Sequence, residues 1–203
     1  MSIAPITNAL DEYFSTDSHF RRLYPLSIRL FDKDHWTPLD VVKRASAFLA
    51  NKPGAKILDI GSGAGKFCIA GAYWTPSAYF FGIEQREFLV GHAGAVKTKL
   101  GSSNTDFRNG NFTQVNFKEF DSFYFYNSFA ENLPWVSKID NTIDYSEELY
   151  RYYNRLLNQK LKEMPIGTRL VTFKTLGLEI PNAYSLAGAE LNYQLKFWIK
   201  KEA

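Results

Sequence analysis

The chain has 203 residues, 45% hydrophobic and 22% charged, with a formal net charge of +3. That size suits one domain with a substantial core, and that balance excludes a disordered or fibrous chain. The single cysteine, Cys68, excludes an internal disulfide, and the lack of a long Lys/Arg block neither demands nor excludes nucleic acid, so the expectation is against such a partner.

Residues 1–35 predict a helical extension. Ile6, Leu10, Tyr13 and Phe14 follow helical spacing, and Phe20 to Phe31 is mixed aromatic and basic with Pro25 interrupting it. Such a segment covers a pocket or packs on a sheet edge. Asp11 and Glu12 stand where a targeting segment would be basic, so the expected location is the cytoplasm, with no membrane partner. Thr37 followed by Pro38 reads as a helix start, hydroxyl at the N-cap and proline in the first turn. The helix is expected to reach about Ala50, with Val41, Val42, Ala45, Phe48 and Leu49 inward, and to end at Asn51, Pro53 and Gly54.

The most informative stretch is Lys56 to Ile69. Ile57, Leu58 and Ile60 form the short apolar run of a central parallel strand. Gly61, Gly63 and Gly65 then alternate, giving a turn almost free of side chains before a helix opens. A ligand can lie on such backbone, beside the unpaired N–H groups of a helix start. The dinucleotide fingerprint wants G-x-G-x-x-G, but here Lys66 stands where its last glycine would be. Asp59, two positions before the first glycine, offers nothing to a phosphate and stabilises an ammonium or a sulfonium.

Asp59-x-Gly61-x-Gly63-x-Gly65 resembles the first motif of class I S-adenosylmethionine-dependent methyltransferases, and the resemblance runs from about Trp36 to the C-terminus. It implies that S-adenosyl-L-methionine is the cofactor, that Gly61, Ser62, Gly63 and Gly65 pass beneath it, and that Asp59 lies near its methionine end. Trp36 and Thr37 either touch that end or serve only as a cap and staple.

The uncharged run from Phe67 to Ile83 is broken by Trp74-Thr75-Pro76-Ser77, so it reads as a helix and then a strand rather than a membrane span. Cys68 falls on the inner side of that helix as a buried thiol. A second strand, Ala78 to Ile83, ends in Glu84 and Gln85. The gap from Gly65 to Glu84 is that between a glycine loop and a ribose-binding acid. A helix from Phe88 to Leu100 follows, closed by Gly101, with Leu89, His92, Val96 and Leu100 on one face and His92 expected in the core. His19 and His35 have no partner at ligand spacing, so no metal site is expected.

A third strand, Thr105 to Arg108, leads into Asn111 and Phe112, which by the resemblance face the adenine, with Asn in place of the usual Asp. The aromatic run Phe120 to Tyr126 reads as a fourth strand and ends in Asn127-Ser128-Phe129. Amine-directed members of the family carry N-P-P-Y or a relative here, and the non-SET histone-lysine methyltransferases, a distant likeness, an Asn near a Phe. The resemblance therefore implies Asn127 and Phe129 as catalytic residues, although the prolines are missing. Ala130 to Tyr145 is an aperiodic loop suited to shaping a substrate pocket. A helix from Ser146 to Leu161 buries Leu149, Tyr153, Leu156 and Leu157, a fifth strand spans Thr168 to Lys174, and Tyr184 to Ala187 with Leu191 to Ile199 resembles the family's closing antiparallel pair.

The expected fold is α/β: a doubly wound, mostly parallel seven-stranded sheet of the class I methyltransferase type. Residues 1–50 form the helical extension and 51–203 a Rossmann-like core of one domain. The expected activity is methyl transfer to an amine or other nucleophile of an unidentified protein or small molecule. An inactive cofactor-binding partner subunit and a nicotinamide-dependent oxidoreductase stay open, the latter opposed by the glycine spacing and Asp59.

Overall fold

The computed structural model describes residues 9–202. Ile57 to Ile60 of β1 (Lys56–Ile60) are fully buried, because the strand lies at the sheet's centre with both faces covered. β1 pairs in parallel with β2 (Tyr79–Glu84), which pairs in parallel with β3 (Thr105–Asn109). On its other side β1 pairs with β4 (Ser122–Phe125), and β4 with β5 (Arg169–Phe173), again in parallel. β6 (Tyr184–Glu190) and β7 (Leu195–Lys200) form an antiparallel hairpin, and β7 runs antiparallel to β5. The order β3-β2-β1-β4-β5-β7-β6 reverses between β1 and β4, and the carboxyl ends of those two strands open the crevice where ligands bind in such sheets.

The pleat sorts the strand residues onto two cores. Ile57, Tyr124, Val171 and Phe173 face one side, while Leu58, Ile60, Phe123, Phe125 and Leu170 face the other. The first side is covered by α5 (Leu39–Leu49), α6 (Lys66–Trp74) and α7 (Glu87–Leu100), and by the short helices α1 (Ala9–Tyr13), α2 (Asp17–Phe20), α3 (Leu26–Arg29) and α4 (Asp32–His35). Phe67 of α6 stacks on Tyr124 at 3.8 Å. The second side is covered by α8 (Glu147–Lys162), whose Tyr153, Leu157 and Leu161 are buried while Leu149 and Leu156 are half-buried.

Several sequence expectations are corrected. Thr37 does not cap α5: its hydroxyl bonds the Tyr124 hydroxyl at 2.9 Å, the helix begins after Pro38, and Asp17 Oδ1 accepts from Leu39 N–H at 3.0 Å. A local Thr-Pro signal is thus overridden by a carboxylate from α2. Leu191, Asn192 and Tyr193 are not strand but a turn with φ of 51°, 54° and 62°, so β7 starts at Leu195. His92 and Phe48 are half-buried rather than core. Ile6 lies outside the described residues.

Both edge strands are blunted. β3 carries half-exposed Asp106 and Arg108, which pair with each other at 3.6 Å. β6 exposes Ser185, Leu186 and Ala187 beside a register shift between Leu186 and Gly188.

Candidate active site

The turn after β1 is stitched to β2, since Gly61 and Ser62 both donate their N–H to Ile83 O at 3.0 Å. Gly63 donates to Glu84 Oε2 at 3.1 Å, and Gly65 to Ser62 O at 2.9 Å. These N–H groups are already committed, so the turn itself serves a ligand through lack of bulk rather than through free donors.

The two central glycines are required for different reasons. A Cβ on Gly61 (φ +75°) would stand 2.4 Å from Ser128 Cβ, so the ends of β1 and β4 touch there. Ser128 Oγ seals that joint by donating to Ile60 O at 2.6 Å. A Cβ on Gly63 (φ +53°) would meet nothing within 4 Å. The space above Gly63 is therefore ligand-sized room kept open by glycine.

That room belongs to a crevice of about 450 Å³ at the carboxyl ends of the strands, within the roughly 300–1,000 Å³ usual for small-molecule sites. Gly61, Gly63, Glu84, Gln85 and Phe112 line it, together with Tyr126, Asn127, Phe129, Trp135 and Lys174. Asp59 and Ser62 lie behind the turn, on a small cavity of about 30 Å³ that shares Gly61, His35 and Tyr126 with the crevice. Gly65 lines neither cavity; it precedes α6 and packs against Phe107 and Ala93. Trp36 and Thr37, read as either cofactor neighbours or a cap, line the small cavity beside Asp59.

The small cavity behind the turn is lined by Asp59, Ser62 and Lys66, whose ammonium pairs with Asp17. Asp59 is 4% exposed and makes no salt bridge among the described residues. Burial, and then the charge of Glu84, pushes its carboxyl well above the usual range, and Cys68 Sγ is its weak donor at 3.8 Å. Ser62 Oγ, on the same cavity, is buried without a hydrogen-bond partner. A volume of about 30 Å³ matches one water or one ammonium group.

Glu84 is 6% exposed. Burial raises its pKa, while the Arg86 and Gly63 N–H groups and the Arg86 charge pull it down. Arg86 donates its backbone N–H to Glu84 Oε1 at 3.0 Å, and its guanidinium reaches Asp140 at 3.2 Å, Tyr145 at 2.6 Å and Glu131. Burial opposes the Arg86 charge, but Glu131 and then Glu84 outweigh it and hold the guanidinium above its ordinary pKa.

Asn111 does not line the crevice. Its Oδ1 caps the turn after β3 by accepting from Thr113 N–H at 3.0 Å, and its Nδ2 donates to Gln85 Oε1 and Tyr153 Oη, both at 2.9 Å. It thereby sets the Gln85 side chain and leaves the wall to Phe112, which stacks on Phe129 at 4.9 Å. Phe129 is 5% exposed and also packs on Phe125 and Tyr153, which makes it a fixed wall. Asn127 (φ +41°) and Lys174 (φ +51°) end adjacent strands in the left-handed region, a strain that collects at ligand sites.

Sequence reasoning missed Arg86, Glu131 and Lys174. The legible hint was a basic residue two positions after the ribose-type acid. His35, which has no neighbour at ligand spacing in the sequence, meets Glu131 Oε1 at 3.6 Å across the fold.

A seven-stranded sheet of this order, with a glycine turn and acids at adjoining strand ends, defines a class I methyltransferase fold. A family model described as a methyltransferase domain matches residues 51–163, and the chain belongs to that family of S-adenosylmethionine-dependent enzymes. A comparison with curated protein sequences finds no match. Among solved structures, an RNA methyltransferase from Salinibacter ruber in complex with S-adenosyl-L-homocysteine is 21% identical. That match covers 83% of this chain and 95% of that one at a TM-score of 0.59. TrmN from Thermus thermophilus is 18% identical over 89% of this chain and 52% of that one, also at 0.59. A mutant of MtNAS, solved in complex with S-adenosylmethionine, is 15% identical over 95% of this chain and 70% of that one at 0.56. At these identities the likeness shows the fold. The chain spans only 49% and 44% of the lengths of two other matched structures. No helix among the described residues is long and apolar enough to cross a membrane.

Proposed function

We propose that this chain transfers a methyl group from S-adenosyl-L-methionine to a nucleophile of a separate acceptor, an amine foremost. One observation carries the reading: Gly61 and Gly63, Glu84, Phe112 and Asn127, from four segments far apart in sequence, meet around one crevice. When bound, the cofactor supplies a methyl group on a positively charged sulfur. Asp59 holds the ammonium at the amino-acid end, with Ser62 Oγ as an added partner. Glu84 accepts from the ribose hydroxyls, and Phe112 supplies the wall beside the base.

Asn127 and Phe129 flank Ser128, which packs on Gly61 of the turn, and line the same crevice, where the acceptor would be held. An amide oxygen at Asn127 can accept from the attacking N–H and aim its lone pair. The aromatic wall suits a charge that spreads during transfer. An amine must arrive neutral, and its desolvation on binding favours that form. No dedicated base is needed. Holding the partners in line contributes roughly 7–11 kcal/mol through orientation alone.

Calorimetry with S-adenosylmethionine, S-adenosylhomocysteine and reduced nicotinamide cofactor tests the binding half. Uptake of the nicotinamide alone would overturn the reading. Transfer of labelled methyl into small-molecule, protein or RNA fractions of a cell extract tests the catalytic half. Tight uptake of the methyl donor with no transfer into any fraction would favour a partner subunit instead.

A further inference from the structure

We infer that Arg86 is a positioning residue that joins Glu84, at the end of β2, to the loop that follows β4. The identity of the ligand on Glu84 rests on the proposed function; the joint itself does not. Arg86 is 6% exposed and is held at both ends. Towards the turn, its backbone N–H and Nη1 meet Glu84 Oε1 at 3.0 and 3.5 Å. Towards the loop that follows β4, its Nε meets Asp140 Oδ1 at 3.2 Å, and its Nη2 meets Tyr145 Oη at 2.6 Å and Glu131. Tyr145 Oη closes the ring by donating to Asp140 O at 2.8 Å.

The loop needs this anchor. Between Leu133 and Tyr145 it has no helix or strand, yet Val136, Ile139 and Ile143 form part of the crevice wall. Asp140 is partly spent on its own segment, accepting from Thr142 N–H and Oγ1 at 3.0 and 2.8 Å. Arg86 therefore adds a polar tie from the sheet to this loop, beside the packing of Ile139 on the first core. One guanidinium serves three carboxylates, so its grip on the loop depends on how Glu84 is held. Hydroxyl groups donating to Glu84 keep that carboxylate charged and fixed, which fixes Arg86 and with it the loop. Coupling of this kind is reciprocal: whatever loosens the loop from Arg86 weakens ligand binding at Glu84 by the same factor by which the ligand orders the loop.

Hydrogen exchange on the full chain, with and without S-adenosylhomocysteine, decides it. In the wild type the ligand is expected to slow exchange at residues 61–65 and also across 133–145. Tyr145→Phe removes the charge-assisted hydrogen bond from Arg86 and the hydroxyl's own bond to Asp140 O, so 133–145 should exchange at least about tenfold faster without ligand. In that variant the ligand should still protect 61–65 and no longer protect 133–145. Arg86→Lys keeps the charge but not the fork, and should do the same while weakening ligand uptake. Unchanged exchange of 133–145 in ligand-free Tyr145→Phe overturns the inference, as does ligand protection of that loop equal to wild type. If the wild type takes up no ligand, the methyltransferase reading fails, and the ligand-free comparison still decides the joint. Should Arg86→Lys not fold, Tyr145→Phe decides alone.

Discussion

Asp59→Asn should move stability and cofactor binding in opposite directions. Burial and the neighbouring Glu84 raise the folded-state pKa of Asp59 above the ordinary value of 3.8. The folded protein therefore holds this proton more tightly than the unfolded chain does. The stabilisation is full below the ordinary value and is lost as pH rises towards the folded-state value. Across that window one such group changes stability by about 1.4 kcal/mol per pH unit. Asparagine keeps the size and the hydrogen bonding without the titration, so the ligand-free variant should be more stable than wild type at neutral pH, with a flatter pH profile. Glu84 shifts in the same direction and is untouched, so some slope persists. The cofactor ammonium, however, loses its counter-charge, and its affinity should fall by about 1–3 kcal/mol, roughly fivefold to a hundred-and-fiftyfold. Urea denaturation from about pH 5 to about pH 8, with calorimetric titration of S-adenosylhomocysteine in the same buffers, measures both. A variant less stable than wild type at neutral pH that binds the ligand unchanged would refute the assignment of Asp59 as a buried counter-charge awaiting a cation.

Glu84→Gln has one acceptor oxygen where Glu84 serves Gly63 N–H and Arg86 N–H with two. It should lose about 1–3 kcal/mol of stability in urea and a comparable part of its cofactor affinity in calorimetry. Gly61→Ala drives a methyl into Ser128 and should cost about 2–5 kcal/mol of stability. Gly63→Ala meets only open space, should cost about 1–2 kcal/mol of backbone strain, and should fold but lose cofactor uptake; equal stability loss at both glycines would contradict the distinction. Asn127→Ala should leave cofactor uptake intact while methyl transfer falls about a hundredfold, as single-turnover kinetics would show.

What the sequence disclosed follows from how local each signal is. The apolar run of β1 and the glycine spacing sit within one short stretch, so turn and strand could be read together. The spacing to Glu84 likewise reflects one strand–helix–strand unit of nearly fixed size. The place of Asn111 was not legible, because its amide can cap a turn as well as face a base, and its bond to Thr113, two residues on, is the nearer option. Arg86 was missed for the opposite reason. Its partners Glu131 and Tyr145 lie 45 and 59 residues downstream, on a loop without periodicity. Thr37 shows the same limit: Tyr124, 87 residues away, claims its hydroxyl, and Asp17 takes over the cap.

The two blunted margins of the sheet bear on how this protein behaves in a crowded solution. A strand edge with unpaired backbone groups invites another chain to add itself. Charges on β3 and the register shift in β6 discourage that on both sides by unrelated means. Strand-by-strand polymerisation is thereby opposed at either margin without help from the crevice, so residues lining the crevice are left to answer to ligands rather than to solubility.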